Sequence, residues 1–345
     1  MINRDNSFDA IRHLAALAVL VSHHYALAGL QEPIVQGYTS LGAIAVLAFF
    51  AISGFLITQS FLNTPRFSHY MAKRIARIFP ALIACAFVMV YIFGTAFSHK
   101  GGFNFAFSLE ALTDFLKVSA FGRADIGDIT SGFIFKDSFN GSLWTLKIEF
   151  GFYIALALAL MVLRKAAVPL IMTMAFCITT YLCTQSTHPL APKLLVYSTV
   201  GIAFFVGASL HFYRHVFSSS KAKIMTGVLS AALILVSLNT PFVMVLASIG
   251  VSLLVLSVGT LYKDRIIKSR FDISYGMYLY AFPVQQLMIN TTDLGFYASM
   301  LATLVVVVML ATLSWLLIEK PALNYVHRNS LSRVRAQADV AQVQR

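Results

Sequence analysis

The sequence is poor in charged residues, in cysteine and in the short motifs that mark metal and cofactor sites. Only 12% of its 345 residues are charged, whereas soluble domains carry about 25%. Its three cysteines lie in apolar segments, without the spacing of a metal site or a disulfide framework, and we expect them to be small core residues. Neither a metal-ligand motif nor a glycine-rich phosphate loop is present. The sequence therefore predicts no metal site and no permanently bound cofactor.

Hydrophobic residues instead make up 58% of the chain. A helix that crosses lipid needs about 20 mostly apolar residues, because the bilayer offers no partners to free backbone groups. Apolar runs between charged or Pro/Gly-rich breaks predict ten spans, near residues 10–29, 41–62, 78–97, 143–163, 167–184, 194–212, 223–239, 242–261, 271–290 and 297–318. The predicted fold class is an all-α polytopic integral membrane protein, with no length left for a second soluble domain.

The formal net charge of +12 is concentrated in the loops. Most of the Lys and Arg residues fall on alternate loops between the predicted spans, and short cytoplasmic loops carry the excess of positive charge. We therefore expect both termini to be cytoplasmic, with a transmembrane domain over residues 1–321 and a short basic cytoplasmic tail over 322–345. Because topology accounts for the charge, we expect membrane lipids but not nucleic acid as partners.

Two segments need separate treatment. Residues 98–140 form the one long predicted loop, and we expect a partly folded outer cap there, since long ordered loops are usually functional. Residues 14–21 followed by Ala26-Leu27-Ala28 have the features of a cleavable signal peptide, which is the alternative to a first span. Against cleavage, His23 and His24 interrupt the motif, and loss of this span would invert the charge pattern.

Few ionisable residues lie inside the predicted spans, where they are costly and commonly functional. They are His23 and His24 in the first span and Lys147 and Glu149 in the fourth, with Arg12 at the cytoplasmic mouth. Eleven residues of helix place Arg12 and His23 on nearly one face, about 16 Å apart, and turn His24 about 100° away. A histidine bonded within the core is the alternative interpretation of His23.

The depth of Glu149 favours a functional role for His23. Both residues lie about 9–10 Å inside the outer ends of oppositely running helices, so a carboxylate beside an imidazole is predicted, as general-base work on a hydroxyl requires. Thr145 and Ser142 share the Glu149 face. A structural ion pair between Lys147 and Glu149 is the alternative, although residues two apart on a helix face different ways.

Arg74 and Arg77 stand three residues apart before Pro80, at the start of the third predicted span. Guanidinium groups at this spacing suit bidentate binding of phosphates. The alternative is that both residues only obey the charge asymmetry that orients the chain.

Six motifs follow one another over residues 8–321. They are Phe8-Asp9-Ala10-Ile11-Arg12 with His23, Phe49-Phe50-Ala51-Ile52-Ser53-Gly54-Phe55-Leu56-Ile57, Lys73-Arg74-Ile75-Ala76-Arg77-Ile78-Phe79-Pro80, Ser142-Leu143-Trp144-Thr145-Leu146 with Glu149, Ile273-Ser274-Tyr275-Gly276-Met277-Tyr278-Leu279-Tyr280, and Glu319-Lys320-Pro321. In their order and spacing the chain resembles the membrane-bound acyltransferase family 3, which includes O-acetyltransferases of O-antigen, exopolysaccharides and other cell-envelope glycans.

The resemblance implies an enzyme of a bacterial-type inner membrane that takes an acyl group, by default acetyl, from cytoplasmic acyl-CoA. His23 and Glu149 would be catalytic, and Arg12, Arg74 and Arg77 would bind the donor. Residues expected to line the site or hold a carbohydrate or lipid-linked glycan acceptor are Ser53, Ser142, Trp144, Thr145, Tyr275 and Tyr278. Members of the family often carry a histidine where this chain has Ala281, so no catalytic role is expected on that helix.

Two other functions remain open on the sequence, a transporter or flippase for a lipid-linked sugar and a non-catalytic membrane receptor. The transporter predicts broken helices in matching halves of the chain, and no internal repeat is evident. Self-association into a homo-oligomer is left open.

The charge pattern predicts the topology directly. Reporter fusions after residues 70, 165, 220 and 267 should read cytoplasmic, and fusions after residues 36, 120, 188 and 293 should read external. Inversion of the first three loops would contradict the proposed orientation, whereas one inverted pair would only move a span boundary.

Overall fold

The computed structural model describes residues 6–64, 66–264, 267, 271–326 and 328, and ten long helices dominate this part of the chain. Two of them continue through a π-helical turn, one through Val88–Phe93 and the other through Trp315–Glu319. The helices are α1 (Phe8–Leu27), α2 (Leu41–Asn63), α3 (Phe67–Phe87), α4 (Trp144–Val162), α5 (Ala167–Gln185), α6 (Ala191–Phe212), α7 (Ser220–Ser237), α8 (Val243–Leu261), α9 (Ser274–Thr291) and α10 (Phe296–Ser314).

Each of the ten predicted spans overlaps one of these helices, and among the described residues there is no β-strand. Eight of the helices are long and apolar enough to cross a membrane. The other two, α1 and α9, are the ones with polar side chains along their length. On α9, Gln285 and Gln286 are fully buried and donate to backbone carbonyls, Gln285 to that of Leu20 at 2.6 Å. The polytopic all-α fold is thus confirmed.

The third predicted span is wrong at its start. Helix α3 begins at Phe67 and not near residue 78, so Lys73, Arg74 and Arg77 lie within the helix and not in the loop before it. Hydropathy ends a predicted span at charged residues, but Lys and Arg are good helix formers, and the helix therefore extends beyond the apolar run.

Helices α1 and α9 lie in the interior. Helix α1 packs against α2 and α9, whereas α2 packs along α6, and α7 pairs with α8. Because α1, α2, α3, α4 and α9 converge, the polar residues of the sequence motifs approach one another although they are far apart in the chain.

The segment 98–140 folds as expected into a partly helical cap. It forms short helices over Gly102–Ala106, Leu109–Ser119 and Gly127–Thr130, followed by a 3₁₀ turn at Gly141–Leu143. Apolar side chains from these helices, among them Phe105 and Val118, are fully buried in one cluster with residues of α3 and α9. Its location outside the membrane stays a prediction. Most of the predicted tail, and several basic residues used for the topology, lie outside the described residues.

Two glycines allow a close helix crossing between α2 and α6. A Cβ atom on Gly54 would lie 1.8 Å from the Phe204 carbonyl oxygen, and one on Gly207 would lie 2.1 Å from that of Ala51. Small residues let helix backbones approach in membranes, where packing replaces the hydrophobic effect as a driving force. The glycine of the second motif is therefore required by packing.

We expect Gly54→Ala and Gly207→Ala to destabilise the protein strongly, because overpacking a tight contact costs about 1–3 kcal/mol or more. Thermal unfolding of the detergent-purified protein measures the effect. Gly151→Ala is the matched control, since nothing lies within 4 Å of a Cβ there. Equal unfolding temperatures for all three variants would contradict this account of the crossing.

Candidate functional site

A cavity of about 470 Å³ lies where α1, α2, α3, α4 and α9 converge. We call it the basic cavity, because four cationic side chains line it. A volume of this size falls in the range of about 300–1,000 Å³ found for small-molecule sites. Its polar lining consists of Arg12, Ser53, Gln59, Ser60, Lys73, Arg74, Arg77, Thr145, Glu149, Tyr153, Ser274, Tyr275 and Tyr278.

Arg74 keeps hydrogen-bonding capacity inside the basic cavity. Its guanidinium carbon lies 5.9 Å from the ring centroids of both Tyr70 and Tyr153, and its buried Nε has no hydrogen-bond partner among the described residues. Among the residues that the structure describes, no carboxylate forms an ion pair with Arg74. Cation–π contacts hold a guanidinium without neutralising its charge, so Arg74 is oriented and available to an anion.

Arg77 differs from Arg74, because two carboxylates already neutralise it. Its Nη2 donates to Asp272 Oδ2 at 2.6 Å, and its Nη1 lies 3.6 Å from Glu319 Oε2. Asp272 also lies 3.8 Å from the Arg12 guanidinium. Burial alone would raise the pKa of the Asp272 carboxyl, but the guanidinium groups of Arg77 and Arg12 hold it below its ordinary value. This ion-pair cluster joins α1, α3, α9 and α10.

Glu149 lies in the polar wall of the basic cavity. Its Oε1 accepts hydrogen bonds from Ser53 Oγ and from Tyr153 Oη, both at 2.5 Å. The Arg74 guanidinium lines the same cavity. The α2 motif and the α4 motif thus meet at one carboxylate, and Lys147, which is exposed, forms no ion pair with Glu149.

A second cavity, of about 220 Å³, holds His23. We call it the histidine cavity. Glu32, Tyr38 and Trp144 share its lining, and Trp144 stacks on Tyr197 with 5.8 Å between the ring centroids. The imidazole of His23 meets the Phe282 ring edge-on at 5.3 Å. His24 lies elsewhere, with Nε2 at 3.1 Å from Ser299 Oγ of α10, which confirms that the two histidines face different ways.

The two cavities share a wall made of Val46, Thr145 and Tyr278. The Tyr278 hydroxyl lies 2.7 Å from Thr145 Oγ1 and donates to the Ser142 carbonyl at 2.9 Å. Ser142 itself is buried and bonds to Asn140 at 2.7 Å, so it supports the wall and does not line a cavity. Tyr275 lies in the basic cavity, where its hydroxyl donates to the Ile78 carbonyl at 3.0 Å.

The structure therefore brings most predicted site residues together in the basic cavity, but His23 and Trp144 line the histidine cavity and Ser142 lines neither. The donor-binding candidates Arg12, Arg74 and Arg77 line one cavity with Glu149, whereas His23 lines the other. No hydrogen bond joins His23 to Glu149 in the described part of the chain. Helical spacing gives the depth of each residue along the membrane normal, but it does not determine which residue lies beside it in the plane of the membrane. His23 and Glu149 can therefore lie at equal depth and still line different cavities. The catalytic and donor-binding roles themselves stay predictions.

Several residues of the site were missed from the sequence. Tyr153 could have been found, because it follows Glu149 by four positions and shares its helical face. Lys73 was assigned to a loop. Glu32 and Asp272 lie outside helices, so helical periodicity does not indicate them. Their partners, Ser22 and Arg77, are 10 and 195 positions away in the sequence.

An all-α multi-pass membrane protein with a basic cavity and a histidine cavity behind one wall has the architecture of a membrane enzyme with an internal two-part site. The family model described as an acyltransferase domain, that of acyltransferase family 3, matches residues 5–319. The chain belongs to this family. It is therefore a membrane acyltransferase, which sets aside the transporter and receptor alternatives.

Two curated relatives cover nearly the whole chain. The chain is 38% identical over 327 residues to an O-acetyl transferase of Shigella phage Sf6, covering 92% of this chain and 96% of the relative. It is 30% identical over 355 residues to Nodulation protein 10 of Rhizobium leguminosarum bv. viciae, covering 92% and 93%. No solved structure matches the chain.

The two arginines of α3 should differ in their effect on stability. Arg77→Gln leaves Asp272 and Glu319 without their shared cation, and breaking a buried ion pair costs about 3–5 kcal/mol. Arg74→Gln breaks no ion pair and is the matched control. Thermal unfolding in detergent should show a clearly lower unfolding temperature for Arg77→Gln only. An equal decrease for both variants would contradict the different roles assigned to the two arginines.

Proposed function

We propose that the protein transfers an acyl group, with acetyl as the expected group, from cytoplasmic acyl-CoA to a hydroxyl of a cell-envelope glycan or related glycoside. It would act as a multi-pass enzyme of the inner (plasma) membrane. The observation that carries the proposal is the shared wall, because it separates a cationic cavity from a histidine cavity by single side chains. One cavity suits an anionic donor, and the other suits an acceptor that must lose a proton.

The chemistry of the basic cavity supports acyl-CoA as the donor. Coenzyme A carries phosphates, and Lys73 and Arg74 offer charged donors that are not neutralised by ion pairs among the described residues. The Nε of Arg74 is a buried hydrogen-bond donor without an acceptor among the described residues. Buried polar atoms normally form a hydrogen bond. Arg77 would contribute by holding α3 in place beside the phosphates. The apolar part of the lining, including Phe49 and Leu56, suits the pantetheine arm.

The proposed step needs one base at the wall. His23 takes the proton of the acceptor hydroxyl as its oxygen forms a bond to the thioester carbonyl carbon. The carbon–sulfur bond then breaks, and the imidazolium returns the proton to the leaving coenzyme A thiolate, so the products are an ester and free coenzyme A. General acid–base catalysis of this kind contributes about 10²–10⁴-fold.

Glu149 has a separate place in the proposal. It fixes Ser53 and Tyr153 on the donor side of the wall. Its loss would therefore leave two hydroxyls free to turn and would misplace the thioester. Geometric errors of about 1 Å cost roughly 10²-fold in a positioned reaction.

Transfer to a hydroxyl is supported by the relative whose name describes an O-acetyl transferase, and a carbohydrate acceptor is supported by the lining of the histidine cavity. Trp144, which stacks on Tyr197 outside the lining, provides an aromatic surface, and aromatic rings pack against the C–H faces of sugars. Glu32 and Thr39 add hydrogen-bonding groups beside it. This combination of aromatic and polar groups suits a carbohydrate better than a purely apolar acceptor.

The purified protein in lipid nanodiscs, supplied with radiolabelled acetyl-CoA and an extract of envelope glycans, tests the proposal. We expect His23→Ala and Glu149→Gln each to lower label transfer by about 100-fold or more, with acetyl-CoA binding by calorimetry nearly unchanged. His24→Ala is the matched control, because its side chain bonds to α10 and lies in neither cavity. Full transfer by His23→Ala, or no label in glycans with the unaltered protein, would contradict the proposal.

A further inference from the structure

The segment between α1 and α2 carries a carboxylate, Glu32, that lines the histidine cavity beside His23. Ser22 Oγ donates a hydrogen bond to Glu32 Oε2. Ser22 is fully buried and directly precedes His23 on α1. The carboxylate is therefore attached to the helical turn that carries the histidine.

The segment is held in place at its far end as well. The Leu41 amide donates to the Pro33 carbonyl at 2.8 Å, and the Tyr38 hydroxyl lies 3.0 Å from Ser248 Oγ on α8. Burial raises the pKa of Tyr38 to about 12, so this phenol stays neutral. These bonds fix the backbone around Glu32 and reduce the freedom of its side chain.

A glycine at the start of α2 makes room for this arrangement. A Cβ atom on Gly42 would lie 2.9 Å from both Cβ and Oγ of Ser22 and 3.7 Å from Glu32 Oε2. Any larger residue would press on the hydroxyl that holds the carboxylate. Three elements, α1, the loop and α2, thus converge on the pair formed by Ser22 and Glu32.

His23 needs a partner that Glu149 does not provide. Its Nδ1 is buried and has no hydrogen-bond partner in the described part of the chain. The carboxylate that shares its cavity of about 220 Å³ is Glu32. Glu149 is engaged by Ser53 and Tyr153 on the other side of the wall.

We propose that Glu32 is the positioning residue of His23, and that its carboxylate stabilises the imidazolium that forms when His23 takes the acceptor proton. This inference rests on the proposed function. The bonds formed and broken in the transfer are unchanged, because the proton still passes from the acceptor hydroxyl to His23 and then to the coenzyme A thiolate. In this role the Glu32 carboxylate orients the imidazole, as the carboxylate of a catalytic triad does.

The test measures kcat and KM of label transfer from acetyl-CoA to an envelope glycan extract, with the full chain in nanodiscs. We expect Glu32→Gln to lower kcat by about 10- to 100-fold, because it removes the charge but keeps the shape. The apparent KM for the glycan should change little, and Glu32→Asp should recover part of kcat. Gln36→Ala, an exposed position in the same segment, is the matched control.

A mutant cycle separates this role from a structural one. In a His23→Ala background, Glu32→Gln should cause almost no further loss, since residues that act as a unit are non-additive. Unchanged kcat in Glu32→Gln, a raised glycan KM alone, or additive losses would each overturn the inference. If His23→Ala itself transfers normally, the proposed function fails. If only Glu32→Gln is fully active, the proposed function stands and the Glu32 inference fails.

Discussion

Inside a bilayer no water reaches a buried polar group, so each such group needs a partner within the protein. Much of the fold follows from this constraint. Gln285 and Gln286 bond to backbone carbonyls of α1 and of the cap, and Arg77 is shared by Asp272 and Glu319. Because these partners lie on different segments of the chain, satisfying the polar groups also fixes α1, α3, α9 and α10 around the cavities.

Against that background, the cavity side chains with unpartnered polar atoms are informative. Arg74 Nε and His23 Nδ1 are both buried without a hydrogen-bond partner in the described part of the chain, and each belongs to a side chain that lines a cavity. The cationic one faces the larger cavity, and the histidine faces the smaller. A membrane enzyme that joins two substrates needs such groups on both sides of one thin wall, and Tyr278 and Thr145 form it here.

The helices and many of the site residues could be predicted from the sequence, and the errors have physical causes. Apolar length predicted all ten helices because lipid imposes it. The start of α3 was missed because charged residues end a hydropathy window but not a helix. Arg12, Arg74, Arg77 and Glu149 were chosen from motifs that are distant in sequence, and the structure gathers all four in one cavity.

The sequence by itself determined the membrane class, the helices, the family and the inventory of reactive side chains, because apolar runs, charges and motifs are local properties of a chain. Only the tertiary structure decided which carboxylate accompanies which cation or histidine. Glu149 joins Ser53 and Tyr153, and Glu32 joins Ser22 beside His23. Helical periodicity gives the depth and face of a residue on its own helix, but lateral packing and irregular loops choose its neighbours.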